Sequence, residues 1–209
     1  MRTCHLYVIV DRAVLQGRDP VAVAEGAVRG GADAIQWRDK LSSDGEFLET
    51  ARRLRELTRR SGAVFIVNDR LDAALLSRAD GVHLGHEDIP VRQARELAGP
   101  SLLIGRSTHS LSEAKAAEND GADYIGVGPV FKTPTKPDYP VVGTELIRQV
   151  KEGVSIPWVA IGGIDLQTLP LVLSAGATRI AVVRAVAGAR DPEEAARTLK
   201  ALITAAYVS

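Results

Sequence analysis

Tyr124-Ile125-Gly126-Val127-Gly128-Pro129-Val130-Phe131-Lys132-Thr133-Pro134-Thr135-Lys136 changes character half-way along. Its first part is apolar and β-branched without polar alternation, the pattern of a strand buried on both faces. Its second part is a loop of glycine, prolines, threonines and lysines. Pro134 and Pro137 fix φ there, and neither fits a central strand. The hydroxyls of Thr133 and Thr135, the loop N–H groups and the Lys136 ammonium form a set able to hold phosphate oxygens. A basic loop that is merely solvated is the plain alternative. The fold follows from whether this strand-and-loop unit repeats.

It does. Upstream, short apolar runs predict strands at Leu6 to Val10, Ala34 to Trp37, Val64 to Val67, Gly81 to Leu84 and Leu102 to Ile104; downstream they predict Trp158 to Ile161 and Ile180 to Val183. Between them, helical spacing predicts helices at Val21 to Val28, Asp44 to Arg60, Leu71 to Ser77, Val91 to Leu97, Ser110 to Asn119, Gly143 to Val150 and Leu166 to Ser174. A last helix starts after Asp191, with Pro192 in the first turn, and runs to about Tyr207. Ser110 and Glu113 have capping-box spacing. Four echoes, Gly31-Ala32-Asp33-Ala34, Ala79-Asp80-Gly81-Val82, Gly121-Ala122-Asp123-Tyr124 and Gly176-Ala177-Thr178-Arg179, sit where a helix ends and a strand begins. Eight β–α units in 209 residues without a linker fit a single-domain, closed (β/α)₈ TIM barrel over residues 1–209. The open doubly wound sheet is disfavoured, since no G-x-G-x-x-G follows the first strand.

Composition narrows the function classes. Lys+Arg and Asp+Glu both number 26, so there is no basic excess for nucleic acid or an acidic membrane surface. Cys4 is the one cysteine, which precludes an intrachain disulfide and suits a reducing, cytoplasmic setting; its place beside the first strand makes it a small core residue. No apolar run is long enough to span a membrane or serve as a signal peptide. The partners expected are small molecules, with a homo-oligomer left open.

A barrel of this kind carries its active site at the C-terminal ends of its strands, and polar residues do collect there. After the second strand, Gln36, Arg38 and Lys40 are spaced to share one face in extended geometry. A carboxamide, a guanidinium and an ammonium converging suit a polyanion such as diphosphate; the alternative is pairing with Asp39 or Asp44. Asn68 and Asp69 close the third strand, and Glu87-Asp88 follow the fourth. Carboxylates from these two loops could share Mg²⁺, with Glu87 and Asp88 equally eligible; Asp69 could also be a plain helix cap. Ser107 after the fifth strand suits a phosphate hydrogen-bond donor better than a nucleophile paired with His109, for no orienting acid is evident. His83 is expected to be a packed core residue, and His5 and His86 carry no signal. Gly162-Gly163 and Val183-Arg184 follow the seventh and eighth strands, where this fold usually binds phosphate through backbone amides. Two phosphate regions imply two phosphorylated substrates, and metal-assisted displacement of diphosphate is the simplest chemistry.

These motifs, taken in order, resemble thiamine phosphate synthases. The resemblance runs from the first strand to the last helix and rests on Gln36-Trp37-Arg38-Asp39-Lys40, Val67-Asn68-Asp69-Arg70, Gly81-Val82-His83-Leu84-Gly85-His86-Glu87-Asp88, Gly105-Arg106-Ser107-Thr108-His109-Ser110, the stretch from Gly126 to Lys136 and Ala160-Ile161-Gly162-Gly163-Ile164. It implies a transferase that joins hydroxymethylpyrimidine diphosphate to a thiazole phosphate, releasing diphosphate by a dissociative route. It further implies that Asp69 and Asp88 bind Mg²⁺, and that Gln36, Arg38, Lys40, Asn68, Ser107 and Lys136 hold the diphosphate. Thr133, Thr135, Gly163 and the amides of Val183 and Arg184 would hold the thiazole phosphate. Arg184 departs from the family pattern, in which a small residue, often serine, occupies that place.

Two other readings stand beside this one. A thiazole tautomerase of related fold would use a histidine such as His109, but that branch tends to lose the diphosphate apparatus, whereas Arg38, Lys40, Asp69, Asp88 and Lys136 are all present. A non-catalytic phosphate-ligand sensor would have no use for a metal beside a leaving group. Pro134 to Tyr139 is a candidate lid. Arg38→Ala and Lys136→Ala should each depress turnover strongly while leaving the protein folded; wild-type turnover in both would remove the diphosphate assignment.

Overall fold

Eight short strands close on themselves in chain order: β1 (Leu6–Asp11), β2 (Ala34–Arg38), β3 (Val64–Asn68), β4 (Gly81–Leu84), β5 (Leu103–Thr108), β6 (Tyr124–Val127), β7 (Trp158–Ile161) and β8 (Ile180–Val182). Every neighbouring pair is parallel, and Leu6 to Val8 pairs with Ile180 to Val182 to complete the ring. This computed structural model describes residues 1, 3–134 and 140–208. The expected barrel is the observed one.

The helices that follow the strands are α1 (Pro20–Arg29), α2 (Asp44–Ser61), α3 (Leu71–Ser77), α4 (Val91–Ala98), α5 (Leu111–Asn119), α6 (Glu145–Gly153), α7 (Leu169–Ser174), the short α8 (Arg184–Ala187) and α9 (Pro192–Val208). Their apolar stripes meet one face of the strands. Val8, Ile35, Phe65, Val82, Ile104 and Ile125 lie in the same cluster as the helix residues Ala24, Ala51, Leu54 and Ala94. The alternate strand residues Tyr7, Ile9, Ala34, Ile66, Tyr124, Val159 and Ala181 form a second, smaller cluster inside the barrel. Period-two alternation thus divides β1, β2, β3, β6, β7 and β8 between two cores, which is why those runs read as uniformly apolar.

The sequence echoes have a structural reason. Asp33 Oδ2 accepts the amides of His5 and Leu6, Asp80 Oδ2 that of Phe65, and Asp123 Oδ2 that of Ile104, all at 2.7–2.8 Å. Each aspartate also binds a cation from an outer helix: Lys200, Arg55 and Arg95 respectively. A carboxylate at the start of one strand therefore satisfies a backbone donor at the start of its neighbour and ties both to the helical layer. In the fourth copy Thr178 takes the place of the aspartate, and its carbonyl accepts from His5 Nδ1 at 3.0 Å.

Several boundaries differ from expectation. β5 continues to Thr108, four residues beyond the expected end, because Gly105 to Thr108 pairs with Tyr124 to Val127 although it reads as a polar loop. α6 begins at Glu145 and α7 at Leu169. The delay in α7 follows from Asp165, whose carboxylate accepts the amides of Gln167 and Thr168 and holds that stretch as a turn. Ser110 caps α5 as expected, but the Glu113 carboxylate takes the His109 amide, so the capping box is not reciprocal. α8 was not anticipated.

Gly105 shows how tightly the interior is fitted. A Cβ there would stand 2.2 Å from Cζ of Tyr124 and 2.5 Å from its hydroxyl. The ring is fully buried and has no flexible end that could yield. Gly105→Ala should cost about 1–3 kcal/mol through overpacking, seen as a lower urea midpoint at unchanged slope.

Candidate active site

A cavity of about 280 Å³ opens at the C-terminal ends of the strands. Eight of the residues singled out in the sequence line it: Gln36, Arg38, Asn68, Ser107, Thr133, Gly163, Val183 and Arg184. Lys40, Asp69 and Asp88 cluster at the ends of β2, β3 and β4, joined through the Lys40–Asp69 pair. Thr135 and Lys136, and all of the candidate lid but Pro134, lie outside the described residues.

The cations are held by carboxylates, though not the local ones considered above. Arg38 Nη1 lies 2.5 Å from Oδ2 of Asp11, whose side chain is only 2% exposed. Asp11 and Arg38 are register partners on β1 and β2, so strand pairing itself brings them together. Lys40 Nζ lies 2.5 Å from Oδ2 of Asp69. β2 ends at Arg38, so the shared face holds for Gln36 and Arg38, while Lys40 reaches the cluster from the loop beyond. Asp39 instead uses Oδ1 to accept the amides of Leu41 and Ser42.

Asp69 sits at φ 60°, a left-handed conformation that aspartate tolerates better than most residues. Its amide donates to the His83 carbonyl at 2.8 Å, which pins the end of β3 against β4. Asp88 is hydrogen-bonded to Asp69 and accepts the Gly85 amide at 2.6 Å, whereas Glu87 is exposed; Asp88 is thus the acid that meets Asp69. Burial works against ionisation of both acids. In Asp88, burial, the hydrogen bond with Asp69 and the Asp69 charge raise the carboxyl above its usual range. In Asp69, burial is outweighed by the hydrogen bonds with Asp88 and Lys40 and by the Lys40 charge, so this carboxyl is lowered. The pair therefore ionises unequally, with the charge favoured on Asp69 over Asp88. Among the described residues no three His, Cys, Asp or Glu side chains form a ready-made metal cage. Two hard carboxylates beside cationic anion-holders nonetheless suit Mg²⁺, which takes one or two carboxylates along with waters and phosphate oxygens.

The opposite rim is built from backbone. Val130 N donates to the Ile161 carbonyl at 2.9 Å and Phe131 N to the Gly162 carbonyl at 3.0 Å, so the loop after β6 is stitched to the loop after β7. Gly162 and Gly163 adopt φ 102° and 64°, and a Cβ at either would strike Pro129 or Phe131 within 2.7 Å. The glycines are thus required by this close approach, beyond any contact their amides make with an anion. Val183 and Arg184 begin α8 at the cavity wall, with the Arg184 side chain exposed at the rim.

Sequence reasoning missed the polar floor of the cavity. His83 is not a packed core residue: it lines the cavity, with Nε2 3.0 Å from Ser107 Oγ and Nδ1 3.1 Å from the Tyr124 hydroxyl. That hydroxyl is 3.1 Å from the hydroxyl of Tyr7, which accepts from Gln36 Nε2 at 2.7 Å. Ser107 is therefore paired with His83 and not with His109, whose Nδ1 donates to the Gly128 carbonyl. Burial pushes the phenols of Tyr7 and Tyr124 well above their ordinary range.

Comparison with known proteins accords with this geometry. The family model for thiamine monophosphate synthase matches residues 6–186. The chain belongs to that family. It is 51% identical to a thiamine-phosphate synthase of Chloroflexus aurantiacus over 95% of this chain and 92% of that one. It is 49% identical to one of Shouchella clausii, over 96% and 97% of the two chains. Against a longer thiamine-phosphate synthase of a Synechococcus strain it is 51% identical but spans only 51% of that protein. A solved thiamine phosphate pyrophosphorylase from Pyrococcus furiosus superposes with a TM-score of 0.90 at 44% identity, covering 97% of this chain and 96% of that one. The family is one of transferases, as the sequence motifs implied, and relatives this similar carry the synthase name rather than that of a tautomerase or a sensor.

The raised phenols give a test. Their pKa is higher folded than unfolded, so the unfolded chain loses protons first as pH rises, and stability falls above about pH 10. In an alkaline absorbance titration, the phenolate signal of Tyr7 and Tyr124 should appear only on unfolding and be restored to the ordinary range in urea.

Proposed function

We propose that this chain condenses hydroxymethylpyrimidine diphosphate with a thiazole phosphate, giving thiamine phosphate and diphosphate. The observation that carries the reading is the division of one cavity. A cluster of two cations and two acids lies at the ends of β2, β3 and β4, with an amide-lined rim of glycines and the start of α8 after β7 and β8.

In this reading Gln36, Arg38, Lys40, Asn68 and Ser107 bind the diphosphate, with Lys136 from the stretch after β6. Gln36, Arg38, Asn68 and Ser107 stand on β2, β3 and β5, so rigid strands position them. Asp69 and Asp88 would hold Mg²⁺, which when bound supplies positive charge beside the leaving diphosphate. Arg38 and Lys40 stabilise the negative charge that grows as the carbon–oxygen bond breaks, and losing such a donor typically costs about 10²–10³ in turnover. Asp11 keeps the Arg38 guanidinium aimed inward in the meantime. Thr133, Thr135, Gly163 and the amides of Val183 and Arg184 hold the thiazole phosphate, so that the thiazole nitrogen faces the pyrimidine carbon as diphosphate departs. No general base is needed, since the attacking nitrogen carries no proton. The lone cysteine further suits an enzyme of the reducing cytoplasm.

The reaction is tested with purified protein, both substrates and Mg²⁺, with and without EDTA. Diphosphate and thiamine phosphate should appear in equal amounts, stop with EDTA and resume with excess Mg²⁺. Absence of both products beside a working control enzyme would overturn the reading. Asp69→Asn should raise the Mg²⁺ concentration needed for half-maximal rate by roughly tenfold or more.

A further inference from the structure

The chain Gln36–Tyr7–Tyr124–His83–Ser107 crosses the barrel interior through residues of β2, β1, β6, β4 and β5, with successive polar atoms 2.7–3.1 Å apart. Its members are distant in sequence, and the barrel's closure alone makes them neighbours. Its direction follows from donor counting. A carboxamide nitrogen only donates, so the Tyr7 oxygen accepts from Gln36, and the single Tyr7 proton is left for the Tyr124 oxygen. Tyr124 in turn has one proton, and its remaining neighbour is His83 Nδ1. A ring nitrogen that accepts carries no proton, so the imidazole proton lies on Nε2 and is donated to Ser107 Oγ. The Ser107 proton then points away from the histidine. Ser107 lines the cavity, so that proton faces whatever is bound there.

We propose that this chain is a one-way hydrogen-bond relay in which Tyr124 and His83 act as positioning residues. They lock His83 as the Nε2–H tautomer and present Ser107 to the ligand as a proton donor. The inference rests on the diphosphate reading for the identity of the ligand, but the tautomer does not depend on it. It also separates two chemistries that the same Ser107–His83 contact could support. Were the imidazole proton on Nδ1, Nε2 would accept from Ser107 and activate it as a nucleophile. With the proton on Nε2, His83 cannot take the serine proton, and Ser107 is suited to an anionic oxygen that gains charge during reaction. Two features hold the relay in place. Gly105 makes room for the Tyr124 ring, and at Gly126 a Cβ would come within 3.3 Å of His83 Cε1. Hydrogen bonds between neutral groups in a dry interior polarise one another, so fixing one end helps to fix the other.

The tautomer is read directly by nitrogen-15 NMR of the imidazole rings in unliganded wild-type protein, with the His83 signals identified by their loss in His83→Asn. A protonated Nε2 and bare Nδ1 are expected. A protonated Nδ1, whether alone or in an imidazolium, would overturn the proposal. Tyr124→Phe keeps the ring and removes the donor, so the His83 signals should shift toward a mixture of tautomers; an unchanged pattern would also overturn it. In steady-state kinetics, Tyr124→Phe should lower kcat by roughly tenfold, the worth of one hydrogen bond of about 1.4 kcal/mol, with KM for both substrates little changed. His83→Gln, which retains an N–H near the position of Nε2, should exceed His83→Ala in kcat. Equal loss in both would assign His83 a packing role and sink the relay. If wild-type protein makes no thiamine phosphate, the function reading fails, while the NMR result still decides the relay.

Discussion

The amides that begin a parallel strand need partners, and in this barrel three aspartates supply some of them. Asp33, Asp80 and Asp123 each bind an amide in the first two residues of a neighbouring strand and a lysine or arginine of the helical layer. They lie at the floor, far from the chemistry, but they set register. A slip of one residue would exchange the two faces of a strand, sending Tyr7, Gln36 and His83 into the outer core and Val8, Ile35 and Val82 into the cavity. Every interaction at the upper rim presupposes that this register holds.

Register then determines which charges meet. Asp11 and Arg38 are brought together by β1–β2 pairing, and Asp69 by the turn that ends β3 beside β4. Arg38 and Lys40 would be costly to hold in a barrel mouth with nothing opposite them. Asp11 and Asp69 solve that problem before substrate arrives, and in different ways. Asp11 is itself buried and remains with Arg38, whereas Asp69 holds a lysine whose side chain is 57% exposed and able to turn away. One cation is thus fixed and the other adjustable.

Most of the fold was legible in the sequence, for a specific reason. Strands such as Gly81–Leu84 and Trp158–Ile161 are short apolar runs bounded by clear breaks, and they end where those runs end. β5 was cut short because Gly105 to Thr108 turns polar while it is still extended: Ser107 faces the cavity, Arg106 binds the carbonyls of Gly85 and His86, and Thr108 is buried against the Gly126 carbonyl. The same two-sided burial hid the polar floor. Tyr7 and Tyr124 look like ordinary core aromatics within an apolar run, and nothing local tells which face of Gly81-Val82-His83-Leu84 carries a function. Asp69 and Asp88 were visible as acids after strands; spacing could not separate Asp88 from Glu87, the resemblance favoured Asp88, and the coordinates place Asp88 beside Asp69. Asp11, just past the apolar run of the first strand, carried no sign of its pairing, because its partner Arg38 lies on another strand.

The stitching of the loop after β6 to the loop after β7 has a consequence for recognition. Because Val130 and Phe131 are bonded to Ile161 and Gly162 through the main chain, Thr133 and Gly163 cannot drift apart as side chains might. Arg38 and Asn68 on the far wall are likewise borne by strands of the same closed ring. With the two anion sites of the proposed function, the cavity would act as a gauge with two fixed jaws. A single molecule carrying an anionic group at each end would be sorted by its length before the identity of its middle mattered, and compounds a bond too short or too long would engage one jaw only.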